Sequence, residues 1–172
     1  MDSYVSLAQK NIEHYVRTGQ MMSLPPGLPQ EMIQHKAGVF VSIHRKDHHL
    51  RGCIGTILPA RKNIAEEIIH NSIAACSEDP RFSPVTKAEL INLVINVDVL
   101  TKPVLVKDRT ELDPKKYGVI VSASDGRQGL LLPDLDGVDT VEDQVSIAAQ
   151  KGGIDPVNEE IILHQFEVIR HT

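Results

Sequence analysis

Apolar and polar residues recur along this chain with two different periods, and each change of period marks the passage from helix to strand. Val5, Ala8, Ile12 and Tyr15 fall three and four residues apart, which is one stripe of a helix over 3–18, with Gly19 as its stop. The next stretch, MMSLPPGLPQ, holds Pro25, Pro26 and Pro29. Proline fixes φ and removes a backbone donor, so the pattern predicts a loop there. In GVFVSIHR (38–45) the period drops to two: Val39, Val41 and Ile43 point one way, Phe40, Ser42 and His44 the other. KDHH (46–49) reads as a polar turn and LRGCIGTIL (50–58) as the returning strand of a hairpin. Gly52 and Gly55 weaken that strand and point to a bulge or to something approaching its backbone closely.

Asn63 with Glu66 three residues later resembles a capping box, so a second helix is predicted over 64–77. Pro80 and Pro84 end it, because the residue before a proline disfavours the helical region. Thr86 and Glu89 suggest a short helical turn, and LVINVDVL (93–100) is a strand with Leu93, Ile95, Val97 and Val99 on one face. YGVIVSASDGRQGLLLP (117–133) is a hairpin around Asp125-Gly126. A helix from Thr140 to about Lys151 stops at Gly152-Gly153, and EIILHQFEVIR (160–170) closes the chain as one strand. Strands that come mainly as hairpins predict an α+β fold, with mainly antiparallel sheet and packed helices in two interlocked lobes. The chain is read as a single domain over 1–172, with a smaller lobe at about 98–135 inserted in a larger, discontinuous one.

Composition narrows the function. At 172 residues and 41% hydrophobic the chain can bury a core, but with three Tyr, three Phe and no Trp that core rests on aliphatic side chains. A net charge of −5 and so few aromatics argue against nucleic-acid binding, which needs a positive stripe and stacking platforms. No apolar run of membrane-spanning length is present, and MDSYVSLAQK lacks the basic start and apolar middle of a signal peptide. A cytoplasmic protein with no membrane contact is therefore expected, its two cysteines, Cys53 and Cys76, being thiols.

The chemistry-bearing residues concentrate around Cys53. Strand alternation places Arg51 on its face, where a cation favours the thiolate and the thiolate is the nucleophile. Glycine on both sides would let a substrate reach the backbone amides, and cysteine between glycines equally suits tight packing. Asp79 and Arg81 in EDPRF offer a guanidinium fork for a ligand, or a salt bridge that holds a turn. His49 is the candidate for proton transfer. His44, His48, His49 and Cys53 contain no recognised ligand spacing, and histidines in a charged turn are ordinarily solvated. PDLDGVDTVEDQ (133–144) fails as a calcium loop, since Val138 and Asp139 stand where a ligand and a glycine belong. There is no P-loop, GxGxxG or GxSxG, so neither metal nor cofactor is expected.

LRGCIGT (50–56), followed by DPRFSPV (79–85) and EL (89–90), resembles the AMMECR domain. GRQGLLLPDLDGVDTVEDQVSIAAQKGGI (126–154) is similar to the bacterial AmmeMemoRadiSam branch of that family, and the likeness spans about residues 1–170. The resemblance implies a two-lobed α+β fold and a pathway shared with a radical-SAM protein and a Memo-like protein. It centres the motif on Arg51, Gly52, Cys53, Ile54 and Gly55 and supplies no reaction. The chain departs from many relatives in lacking Trp between its last helix and final strand. Two readings follow. In one, a cysteine-centred enzyme or enzyme component uses Cys53 and Arg51 catalytically, with Gly52, Ile54, Gly55, Asp79 and Arg81 holding substrate. In the other, a non-catalytic binding or adaptor protein docks partners on the LRGCIG surface. An RNA-binding regulator is disfavoured by charge.

Overall fold

A computed structural model describes all 172 residues. In chain order the elements are α1 (Ser3–Thr18), α2 (Gln30–Gln34), β1 (Val39–Arg45), β2 (Leu50–Thr56), α3 (Ile64–Ser77), β3 (Leu93–Leu100), β4 (Val104–Leu105), β5 (Gly118–Ala123), β6 (Gln128–Leu131), α4 (Val141–Lys151), β7 (Ile161–Phe166) and β8 (Val168–His171). Four helices and two antiparallel sheets make this an α+β fold. The chain divides into two compact units, residues 1–99 with 169–172, and residues 100–168. The inserted unit therefore runs past position 135 to take in α4 and β7.

In the first unit the sheet order is β2-β1-β3-β8. The alternation in β1 does what its pattern dictates: Val39, Val41 and Ile43 are fully buried and join Val97 of β3 in one core with Leu7, Ala8 and Ile12 of α1 and Ile68 of α3. Asp2 starts α1 by accepting from the N–H groups of Tyr4 and Val5, and Gly19 ends it at φ +73°. Asn63 caps α3 by accepting from the N–H of Glu66. Helix α2 lies just after the prolines that read as loop; its five residues are too few to show a period, and Met32 anchors it in the core. The helical turn expected at Thr86–Glu89 is present, the Glu89 N–H donating to the Thr86 carbonyl at 3.1 Å, and it runs on into a 3₁₀ turn at Leu90–Asn92.

The β1–β2 register corrects one expectation. Ser42 pairs with Cys53 and Ile43 with Gly52, but His44 pairs with Leu50. Arg51 is the extra residue of a bulge, so the alternation that would place it on the face of Cys53 is broken between them.

In the second unit the sheet order is β4-β7-β5-β6, with α4 packed on the β5–β6 hairpin. Val119, Val121 and Leu163 form its core with Val145, Ala148 and Ala149 of α4. The strand predicted over 160–170 is two strands in two different sheets. At the break Glu167 donates its N–H to Thr101 Oγ1 at 2.8 Å, while Thr101 donates its N–H to the Glu167 carbonyl at 2.9 Å. Strand β4, two residues long, gives no readable alternation. No helix is long and apolar enough to cross a membrane.

Candidate functional site

The site lies wholly in the first unit and begins with pairing geometry. Strand β2 is the edge of its sheet. The Cys53 N–H donates not to β1 but outward, to Asp79 Oδ2 at 2.9 Å. Cys53 and Ser42 are thus a non-hydrogen-bonded antiparallel pair, the kind that brings opposed side chains closest. Their Sγ and Oγ atoms lie 3.2 Å apart.

The segment after α3 closes over this edge. Asp79 and Phe82 form a turn, the Phe82 N–H donating to the Asp79 carbonyl at 3.1 Å. Within it Arg81 turns back and donates from Nε and Nη2 to Asp79 Oδ1 and Oδ2, at 3.0 and 2.8 Å. Its Nη2 also reaches the Cys53 carbonyl at 3.4 Å. Asp79 and Arg81 together occupy the backbone donor and acceptor that a neighbouring strand would otherwise bind. The Asp79 side chain is 2% exposed and that of Arg81 56%. Hydrogen bonding from Arg81 holds the Asp79 carboxyl far below the usual carboxylate range.

Arg51 has a different environment. Its side chain is 5% exposed, and Nε and Nη2 donate to Glu89 Oε1 and Oε2 at 2.7 and 3.1 Å, with Nη2 also on the Pro84 carbonyl at 3.3 Å. Glu89 accepts in addition from the N–H and hydroxyl of Thr86, at 2.8 and 3.0 Å. Bonding from Arg51 first, and from Thr86, lowers the Glu89 carboxyl to about 2. The Phe82 ring has both guanidinium groups near it, Arg81 at 5.4 Å and Arg51 at 6.0 Å from its centroid.

Burial pushes the Cys53 thiol above its ordinary range; the Ser42 contact and the Arg81 charge oppose the shift, and Asp98 and Asp79 add to it. Asp98, paired across from Phe40 and almost fully buried, accepts two bonds from Arg170, at 2.8 and 2.7 Å. Phe40 covers Gly55: a Cβ on Gly55 would lie 2.2 Å from the ring. A Cβ on Gly52 would lie 2.1 Å from the Ala75 carbonyl of α3. The missing bulk around Cys53 is therefore occupied by the protein's own ring and helix backbone.

Of the residues singled out from sequence, Cys53, Asp79 and Arg81 come together. Arg51 joins Glu89 in a separate, closed pair. Gly52 and Ile54 sit in register with Ile43 and Val41, on the side of the sheet that carries the helices. His49 is exposed in the turn, with Nδ1 3.1 Å from Asp47 Oδ1. No three His, Cys, Asp or Glu side chains converge as metal ligands. Cys76 is buried and free, its thiol raised to about 11 chiefly by burial. Ser42, Phe40, Asp98 and Arg170 were not singled out. The alternation already placed Ser42 and Phe40 on the face away from the core, but nothing local marks the 72-residue separation of Asp98 and Arg170.

The chain is an α+β protein of two units with an arginine–aspartate fork closing a strand edge beside a cysteine, and comparison with known proteins gives it a family. The AMMECR1 family model matches residues 5–171, so the chain belongs to the AMMECR1 family. A protein of Thermotoga maritima is 49% identical over 168 residues, 98% of this chain and 96% of its own length. One of Clostridium acetobutylicum is 49% identical over 171 residues, and there this chain spans 36% of the relative. The crystal structure of an uncharacterized protein from Pyrococcus horikoshii superposes with a TM-score of 0.87 at 32% identity, covering 97% of this chain and 88% of that one.

Proposed function

We propose that this chain is a binding component of the AmmeMemoRadiSam system, acting with a radical-SAM protein and a Memo-like protein, and that LRGCIG and the Asp79–Phe82 turn form its recognition surface. One observation carries the reading: the Cys53 N–H is already taken by Asp79 at 2.9 Å and Arg81 Nη2 faces its carbonyl at 3.4 Å, while burial pushes its thiol above the ordinary range. A thiolate nucleophile and an oxyanion donor at that residue would need the opposite. The test is Cys53→Ala beside Arg81→Ala, with binding to the two partner proteins measured by calorimetry. Retained binding by Cys53→Ala and its loss in Arg81→Ala support the reading. A Cys53→Ala protein that folds and binds both partners but no longer supports turnover overturns it.

A second reading, a cysteine-centred enzyme or enzyme component, is favoured by the Arg81 charge, which draws the Cys53 thiol down against burial. The same Cys53→Ala outcome separates the two.

A further inference from the structure

Three arginines in the first unit meet carboxylates in the same way, Arg51 with Glu89, Arg81 with Asp79 and Arg170 with Asp98, each through Nε and Nη2. This side-on fork fixes the guanidinium plane and leaves its terminal edge pointing away from the carboxylate. What the terminal edge meets distinguishes the first two pairs. In Arg51 it turns inward to the Pro84 carbonyl and the side chain is closed off from solvent, which is a structural pair. In Arg81 the side chain is more than half exposed, Nη2 makes only a long contact to the Cys53 carbonyl, and Nη1 has no protein partner. Phe82 flanks the guanidinium group, and Asp79 is anchored in turn by the N–H of Cys53.

An arginine held rigidly by a buried carboxylate loses little side-chain entropy when it binds, and its uncommitted N–H groups match the oxygens of a carboxylate or phosphate. Arg81 Nη2 lies 3.4 Å from the Cys53 carbonyl, so whatever sits on Arg81 sits next to the residue that carries the thiol. Resting on the binding reading above, we infer that the recognition surface takes a small ligand through an oxyanion group, carboxylate or phosphate, seated on the terminal edge of Arg81 beside Cys53.

Cys53 supplies the reporter. Iodoacetate and iodoacetamide alkylate the same sulfur, but only iodoacetate carries a carboxylate. The ratio of their rates at Cys53, located by peptide mass spectrometry, is measured in wild type, Arg81→Lys and Arg81→Gln, with folding followed by thermal melting. Wild type is expected to favour iodoacetate by about tenfold or more over Arg81→Gln, the local enrichment a positively lined site gives an anion, with Arg81→Lys between them. Inorganic phosphate and succinate, tested separately on wild type, should each slow iodoacetate while leaving iodoacetamide within about twofold if its anion is accepted. Competition by one alone assigns the oxyanion type. Equal rate ratios in all three folded proteins overturn the inference; if Arg81→Gln does not fold, failure of both anions to compete on wild type does so. The pH dependence of the iodoacetamide rate reads the thiol by itself, so failure of the binding reading would appear there and not in the ratio.

Discussion

The backbone N–H of Cys53 donates to the side chain of Asp79, 26 residues further along, so an edge strand is completed by a carboxylate and not by another strand. Arg81 binds that carboxylate and touches the Cys53 carbonyl, making Asp-Pro-Arg-Phe a short substitute for a missing strand. The motif is thus explained by edge protection first, and its exposed guanidinium is what remains to act on other molecules.

Asp79→Ala should lower unfolding free energy by about 1.5–3 kcal/mol, the range for a hydrogen bond to a charged group, because the Cys53 N–H loses its acceptor and Arg81 its anchor. Asp79→Asn, which keeps one acceptor, should cost less. Urea denaturation of both variants measures the difference, and a neutral Asp79→Ala would remove the edge-capping role.

Arg51 and Glu89 form a partly buried pair, the guanidinium closed off and the carboxylate half-buried. Glu89→Gln leaves a guanidinium without its counter-charge and is expected to destabilise by about 1.5–3 kcal/mol. The pH dependence has a definite sign. The Glu89 carboxyl is lowered from an ordinary 4.5 to about 2 in the folded protein, so its contribution is complete above pH 4.5 and is lost as pH falls through about 2. Chemical denaturation between those values should show a shallower loss of stability in Glu89→Gln than in wild type.

Cys53 should alkylate with an apparent pKa above the free-thiol value of about 8.5, since burial outweighs the Arg81 charge. Arg81→Ala removes one of the influences that lower it and should move the midpoint higher still. A wild-type midpoint below that of a free thiol would favour the enzyme reading.

Gly55→Ala drives a methyl group into the Phe40 ring and should cost about 1–3 kcal/mol as overpacking. Phe40→Leu in the same chain should recover part of that loss, a coupling measured by a double-mutant cycle. Gly52→Ala meets backbone in α3, so no side-chain substitution should rescue it.

The hydrophobic periods made α1, α3, β1, β3 and the β5–β6 hairpin legible, because each buries one regular stripe or face. They did not reveal α2 or β4, which are too short to complete a period, nor the break at Glu167, which is made by bonds to Thr101. At the site, the glycines around Cys53 and the EDPRF segment drew attention to Cys53, Asp79 and Arg81. Parity failed for Arg51 because the glycines signalled a bulge in this strand without showing which residue it inserts. The glycines around Cys53 did signal a close approach, but the approaching groups, the Phe40 ring and the α3 backbone, belong to the chain's own packing.

Asp98 and Arg170 carry a consequence for how the chain comes together on the ribosome. The carboxylate belongs to β3 and is 1% exposed once folded, while its guanidinium partner stands on β8, which is translated well after it. Everything from 100 to 168 is synthesised between the two. A nascent chain that holds only the first three strands of this sheet lacks the guanidinium that compensates this carboxylate in the folded protein. Completion of the first unit is therefore tied to the tail, and the inserted unit has time to fold before its host is sealed.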